Sequence, residues 1–206
     1  MSNTKSSQNI WTVANIVTMV RIAFIPVFMV LLLAPWEKLA FVSSWAADYK
    51  PLVAALVFSI LSATDWVDGY LARSRNEVTT FGKFIDPIAD KILVMAALLG
   101  LIELGDLPSW IALIIVVREF LVSGLRMVAA SEGLVIAASW IGKWKTASTL
   151  VAIILFLVKA SPALQNHAAF YQFIEVLAWI LMILAVALTI ISMIDYFMKS
   201  SKVLYK

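Results

Sequence analysis

The sequence contains no cysteine and only one histidine, His167, among its 206 residues. Without cysteine there can be no disulfide, no thiolate metal site and no thioether link to haem. A single histidine also excludes a histidine-rich zinc site and most histidine-based acid–base schemes. Charged residues are scarce too, at 14% of the chain, with a net charge of +3. The positions of these few charges therefore carry more information than their sum.

Apolar residues are correspondingly abundant. They make up 63% of the chain, and the mean hydropathy is +0.95. Soluble globular domains contain about 45–50% apolar residues. The composition therefore predicts an integral membrane protein, and the length predicts one domain that covers residues 1–206.

Six apolar segments are long enough to cross a membrane, whose hydrocarbon core of about 30 Å requires about 20 helical residues. They lie near 12–34, 51–74, 84–104, 108–131, 139–160 and 173–198. Three prolines, Pro51, Pro108 and Pro162, fall at predicted segment ends, where proline is tolerated. Because backbone polar groups must pair with each other inside lipid, we predict an all-α protein with six transmembrane helices.

The lysine and arginine residues favour one side of the predicted membrane. They are concentrated after the second segment, between the fourth and fifth segments, and in the C-terminal tail, whereas the intervening loops contain few. Short cytoplasmic loops are enriched in these residues. Both termini, and the loop after the second segment, are therefore predicted to be cytoplasmic.

The stretch DWVDGYLARSRNEVTTFGKFIDPIAD, residues 65–90, contains four aspartates at that cytoplasmic end. Asp65 and Asp68 share one helical face with small residues, and Asp86 and Asp90 share a face of the next helix. Two antiparallel helices joined by a short connection would bring the four carboxylates together. Each carboxylate would cost about 2.5–3.5 kcal/mol at the bilayer centre, and less near its surface, so a cationic partner is needed.

Divalent cations would balance this cluster. Ligand sets made only of oxygen favour Mg²⁺, Mn²⁺ or Ca²⁺ over zinc. Two such ions would balance four carboxylates and stabilise both oxygens of a displacement at phosphorus. Two other readings of the aspartates are open: helix caps with interfacial ion pairs, or an ion pathway through the membrane.

The same stretch resembles the signature of the CDP-alcohol phosphatidyltransferase family, D-x2-D-G-x2-A-R-x8-G-x3-D-x3-D. All eight fixed positions are present, as Asp65, Asp68, Gly69, Ala72, Arg73, Gly82, Asp86 and Asp90. The six predicted segments also agree with the six-helix fold of that family. The resemblance implies transfer of a phosphatidyl group from CDP-diacylglycerol to an alcohol, with release of CMP, in a bacterial plasma membrane.

The resemblance also implies roles for individual residues. Two divalent cations, Mg²⁺ or Mn²⁺, would be bound by Asp65, Asp68, Asp86 and Asp90. Asp90 would in addition be the general base. The CDP part of the lipid substrate would contact Gly69, Arg73 and Thr79. The planar guanidinium fork of Arg73 suits a pyrophosphate.

Asn15, Thr18 and Arg21 recur at every third residue in the first segment. This pattern resembles an N-x-x-T-x-x-R sequence at the start of family members, which would place the three residues at the CDP-diacylglycerol site. They would hold the nucleotide or brace the metal site. The alternative is ordinary helix capping together with an arginine that extends to the membrane surface.

Cationic residues near the aspartates indicate an anionic acceptor. Arg118 and Arg126 lie about 80° apart in helical projection, so that both can face one cavity. The stretches VREFLVSGLR and SWIGKWKT resemble phosphatidylglycerophosphate synthases, the branch of the family whose acceptor is glycerol 3-phosphate. The candidate acceptor-phosphate residues are Arg118, Arg126, Ser139, Lys143 and Lys145. The alternatives are topology signals, contacts to anionic lipid, and an ion pair between Arg118 and its neighbour Glu119.

The resemblance implies CDP-diacylglycerol, glycerol 3-phosphate and a second copy of the chain as partners; membrane lipid is expected as well, and nucleic acid is not. Other acceptors remain open, among them inositol phosphate, serine and phosphatidylglycerol. A membrane prenyltransferase would normally carry a second aspartate-rich motif, which this sequence lacks. A cation or proton transporter would place its carboxylates near the middle of the membrane.

Overall fold

The computed structural model describes residues 12–35, 44–74, 80–131 and 140–204; for residues 14, 44–47, 65–74, 80, 83–84, 130–131 and 199–204 it describes the backbone but not the side chains. Every regular element within these ranges is a helix. The helices are α1 (Val13–Leu33), α2 (Ser44–Ser74), α3 (Thr80–Glu103), α4 (Ser109–Ser131), α5 (Trp140–Lys159), α6 (Pro162–Gln165) and α7 (Ala168–Leu204). Six long helices cover the six predicted segments, so the all-α prediction is confirmed. The short α6 was not predicted.

Three of the long helices, α1, α5 and α7, are apolar and long enough to cross a membrane. Large apolar side chains point away from the protein interior on several helices; Val30 on α1, Leu113 on α4 and Ile183 on α7 are 60–62% exposed. Such surfaces belong in lipid, and the chain is a membrane protein. Because α2, α3 and α4 contain more polar and charged residues, their crossing of the membrane stays a prediction.

The helices form two groups that meet in the interior. In the first, α1 packs against α2 and α3, and Phe28 of α1 lies 5.8 Å from Phe58 of α2 between ring centroids. In the second, α5 packs along α7, where Phe156 and Trp179 meet edge to face at 5.2 Å. α7 also contacts α4, and α2 contacts α5. The ends of α3, α4, α5 and α7 can thus contribute to one site.

Two glycines shape the path of α3. At Gly100 an added Cβ would lie 2.5 Å from Cδ2 of Leu32, so the absence of a side chain lets α1 approach closely. Gly105 has φ of +78°, and its N–H and that of Asp106 donate to the carbonyls of Ile102 and Leu101. This is the hydrogen-bond pattern of a Schellman motif, which ends the helix with a glycine in the left-handed conformation.

One boundary prediction is wrong. Pro51 does not mark the start of the second helix, because α2 begins at Ser44 and continues through the proline. Pro26 and Pro87 likewise lie inside α1 and α3. Proline is tolerated within membrane helices, since neighbouring groups can satisfy the carbonyl that loses its donor.

A cluster of charges joins α5, α7 and the α3–α4 loop at the end of the molecule where α3 finishes. The ammonium group of Lys159 lies 3.3 Å from a carboxylate oxygen of Asp106 and 3.1 Å from one of Glu175. Lys159 is only 8% exposed. The aspartate-rich stretch is at the opposite end, where α2 finishes and α3 begins.

Candidate active site

The predicted site begins with two carboxylates on α3. Asp86 accepts a hydrogen bond of 2.8 Å from the hydroxyl of Thr18 on α1. Asp90, one helical turn further along, is half-buried and lines a cavity. The four-residue spacing predicts one shared face of α3, and the structure shows that both residues point into the protein.

The polar residues of α1 are buried beside this carboxylate pair. Asn15, Thr18 and Arg21 are at most 2% exposed. Arg21 donates through Nε to the hydroxyl of Thr64, 3.2 Å away, and Thr64 directly precedes Asp65 on α2. Arg21 therefore points into the protein rather than to the membrane surface. This arrangement favours the interpretation that the α1 residues brace the aspartate-bearing helices.

Next to Asp90 the structure contains a cavity of about 560 Å³ bounded by α3, α4, α5 and α7. Arg118 and Arg126 of α4 and Lys143 of α5 line it, so three of the five predicted acceptor residues share one space with the predicted general base. Arg126 and Lys143 are exposed, whereas Arg118 is buried. The prediction that both arginines can face one cavity is confirmed.

Arg118 contacts one neighbouring helix, α7, and the residue that follows it on α4, Glu119. Its guanidinium group donates through Nε and Nη2 to the hydroxyl of Ser192 on α7, at 3.1 and 2.9 Å, and through Nη1 to Glu119 at 3.0 Å. The ring of Tyr196 lies beneath it, with the centroid 5.8 Å from Cζ. The alternative ion pair with Glu119 is therefore present, and the same Arg118 side chain also lines the cavity.

Lys145 has a different environment. It is 3% exposed and forms an ion pair with Glu119, which links α5 to α4. Together with Asp90 it lines a smaller cavity of about 30 Å³ between α3, α4 and α5. Lys145 therefore reaches the larger cavity through Glu119 rather than directly.

Sequence reasoning missed some residues of this site. Lys91 lines the larger cavity and donates to the hydroxyl of Ser123 across the α3–α4 interface. Its position directly after Asp90 was an available signal. No sequence signal pointed to Ser192 or Tyr196, because they meet Arg118 only after α7 has packed against α4.

Some predicted site residues lie outside what the structure describes. Thr79 and Ser139 are not among the described residues. The backbones of Asp65, Asp68, Gly69 and Arg73 are helical and belong to α2, but their side chains are not described. The convergence of all four carboxylates therefore stays a prediction.

The described donors fit a hard divalent cation. Asp86 and Asp90 supply carboxylate oxygens, the ligands that Mg²⁺ and Mn²⁺ prefer. Among the described side chains, no group of three metal-binding residues lies close enough together to hold an ion. A complete ligand set would have to include the carboxylates of α2.

A profile of the CDP-alcohol phosphatidyltransferase family matches residues 11–191. The chain belongs to this family. The match includes α1 to α5 and most of α7, and thus every helix that bounds the cavity beside Asp90.

Several curated members of the family are similar along most of their length. A Bacillus subtilis protein named CDP-diacylglycerol–glycerol-3-phosphate 3-phosphatidyltransferase is 42% identical over 90% of this chain and 93% of its own length. A Haemophilus influenzae protein of the same name is 37% identical over 87% and 88%. A Mycobacterium tuberculosis protein named probable phosphatidylglycerophosphate synthase is 40% identical over 89% of this chain and 78% of its own length.

Proposed function

We propose that this protein transfers the phosphatidyl group of CDP-diacylglycerol to glycerol 3-phosphate, giving phosphatidylglycerol phosphate and CMP. The names of relatives that are 37–42% identical support this reaction. The structural observation that carries it is the cavity in which Asp90 lies beside a group of cations.

The charge of that cavity suits a phosphate monoester. Four cationic side chains and two carboxylates line it, which leaves two excess positive charges: Lys91, Arg118, Arg126 and Lys143 against Asp90 and Glu119. Glycerol 3-phosphate is close to a dianion at neutral pH. A neutral alcohol or a zwitterion such as serine would leave these cations unbalanced within a partly buried site. Inositol phosphate carries the same group, so the names of the relatives favour glycerol 3-phosphate over it.

Asp90 is proposed as the general base. Its carboxylate would accept the proton of the acceptor hydroxyl while the new oxygen–phosphorus bond forms and the bond to CMP breaks. Arg118, Arg126 and Lys143 would hold the acceptor phosphate, with Lys145 and Ser139 supporting them. Two Mg²⁺ or Mn²⁺ ions, when bound by Asp65, Asp68, Asp86 and Asp90, would stabilise negative charge on the pyrophosphate.

The nucleotide-linked lipid is proposed to lie between α1, α2 and α3. Gly69, Arg73 and Thr79 would contact its CDP part. Thr18 and Arg21, with Asn15, would keep the carboxylates in place, since Thr18 contacts Asp86 and Arg21 contacts the residue before Asp65. The acyl chains would extend into lipid between the helices.

The whole chain is proposed to act as one domain in a bacterial plasma membrane. Both termini and the active site would face the cytoplasm, from which the water-soluble glycerol 3-phosphate would enter. The protein would form a homodimer. The apolar outer faces of α1 and α7 support the membrane location.

Purified protein supplied with CDP-diacylglycerol and one radiolabelled acceptor at a time tests the acceptor. We expect labelled phosphatidylglycerol phosphate with glycerol 3-phosphate and no labelled lipid with serine. Product with inositol phosphate or serine, and none with glycerol 3-phosphate, would overturn the proposal.

The same preparation in detergent micelles distinguishes an enzyme from a transporter. An enzyme releases CMP without any gradient across a membrane. We expect this release to stop on chelation of divalent cations and to return when Mg²⁺ or Mn²⁺ is added. Release that continues after chelation would remove the metal from the proposal.

A further inference from the structure

The hydroxyl of Ser192 is the only group from α7 with a described hydrogen bond to Arg118. Ser192 is fully buried, and it accepts from both Nε and Nη2, the two donors on one edge of the guanidinium group. α4 and α7 are far apart in sequence, so nothing local requires this contact. A serine that receives both donors of an arginine edge restricts rotation of the whole fork.

Ser192 is itself fixed as an acceptor. Its hydroxyl donates to the carbonyl of Thr189 at 3.1 Å, one turn back along α7. A serine hydroxyl has one donor and two lone pairs. With the proton committed to Thr189, both lone pairs are available to the two N–H groups of Arg118. The hydrogen-bond geometry thus uses the full capacity of this side chain.

The remaining donors of Arg118 can bind an acceptor group in the cavity. An arginine has five N–H groups. Two donate to Ser192 and one to Glu119, which accounts for three among the described contacts. Two N–H groups of a side chain that lines the cavity are left for another acceptor. Tyr196, one turn after Ser192, packs its ring against the guanidinium face and also lines the cavity.

We propose that Ser192 is a positioning residue for the acceptor phosphate, because it fixes the guanidinium group of Arg118 so that its two remaining N–H groups face the cavity. This inference rests on the proposed function, in which Arg118 binds the phosphate of the acceptor. It assigns part of the acceptor site to the last helix, which carries none of the signature residues.

Steady-state kinetics with Ser192→Ala tests the proposal. Loss of the two hydrogen bonds to a charged group should raise KM for glycerol 3-phosphate about tenfold. KM for CDP-diacylglycerol and kcat should change less than about twofold, since only binding of the acceptor is weakened. Ser192→Thr keeps the hydroxyl and should restore KM.

Thr189→Val is the matched control. Thr189 is also buried on α7, and its hydroxyl donates to the carbonyl of Ala185, away from Arg118. A purely structural role of polar groups on α7 would make Thr189→Val and Ser192→Ala equally harmful, with a lower yield of folded protein and an unchanged KM for the acceptor. That result would overturn the inference, as would an unchanged KM in well-folded Ser192→Ala.

The wild-type protein separates this inference from the proposed function. If wild type makes product from glycerol 3-phosphate but Ser192→Ala has the same KM, only the role of Ser192 is wrong. If wild type makes no product from glycerol 3-phosphate, the proposed function itself is wrong, and the role of Ser192 in binding that acceptor is wrong with it.

Discussion

At the scale of single residues, the interior contains polar side chains whose burial must be balanced by partners. Arg21, Arg118 and Lys145 are each at most 7% exposed, within a largely apolar helix bundle. Burial of a charge is costly unless it is paired and hydrogen-bonded. Each of the three has a partner on a neighbouring helix, and all three lie at the end of the bundle that contains Asp90. Their location beside Asp90 agrees with the proposed active site.

Replacement of Asp90 by asparagine removes the proposed proton acceptor and keeps the shape of the side chain. We expect kcat to fall by about 10²–10⁴-fold, the usual contribution of a general base. Binding of CDP-diacylglycerol, measured by its protection of the protein against thermal unfolding, should be retained in part.

Asp48→Asn is the control for this variant, since Asp48 is exposed near the start of α2, at the other end of the molecule. It should keep full activity. Turnover by Asp90→Asn close to the wild-type rate would remove Asp90 as the base.

At the scale of elements, α3 connects two polar ends with different roles. Its first half carries Asp86 and Asp90, and its last turn leads into the loop with Asp106, which contacts Lys159. Asp90 and Glu103 are separated by about 20 Å along the helix axis. Substitutions in the Lys159 cluster should therefore change the stability of the fold without changing the arrangement of residues around Asp90.

Lys159→Met should lower the stability of the protein while leaving the kinetics unchanged. Without the ammonium group, Asp106 and Glu175 face each other with no shared cation. We expect the free energy of unfolding to fall by about 1–3 kcal/mol, below the full value for a buried pair because Glu175 is partly exposed.

Thermal unfolding in detergent, followed by tryptophan fluorescence, measures this loss. Glu175→Gln should lower the free energy of unfolding by less than Lys159→Met does, because Lys159 keeps its contact with Asp106. Equal thermal stability of Lys159→Met and wild type would mean that the cluster contributes nothing, and a changed KM would mean that the two ends are coupled.

Gly100→Val tests the close approach of α1 and α3. The new side chain would begin 2.5 Å from Cδ2 of Leu32, which is fully buried and has little room to move. Overpacking of this kind costs about 1–3 kcal/mol. A lower unfolding temperature is expected, and Leu32→Ala in the same chain should recover part of it. No recovery would show that the cost arises elsewhere on α3.

At the scale of the whole molecule, the outer faces of the helices decide where the protein resides, and the inner faces decide what it can do. Exposed apolar side chains cover α1, α4 and α7, whereas the polar interior groups collect at two ends. The number of membrane crossings and the side on which the site lies depend on the six-span topology, which is a prediction from the charge of the loops.

The absence of cysteine makes this topology directly testable. Single cysteines at Ser109 and His167, at the end opposite to Asp90, should react with a membrane-impermeant maleimide added to intact cells. A cysteine at Ser2 should react only after the cells are opened. The reverse pattern would invert the orientation, and labelling of all three from outside would contradict the three crossings that are predicted between Ser2 and Ser109.

Much of this protein was predictable from the sequence because the relevant signals are local. Apolar segments of membrane-spanning length predicted six long helices, and the structure contains them. The start of α2 was predicted wrongly at Pro51. The four-residue spacing of Asp86 and Asp90 predicted that they share one face of α3, and the complete signature predicted the family.

Tertiary structure decided which charged residues meet. Lys143 and Lys145 are almost adjacent in sequence, yet one lines the larger cavity and the other pairs with Glu119, because successive helical residues point about 100° apart. The contact of Arg118 with Ser192 depends on the packing of α7 against α4. Hydropathy and spacing within one segment determine where a helix forms and which residues share a face of it. They contain no information on which distant helix will complete its hydrogen bonds.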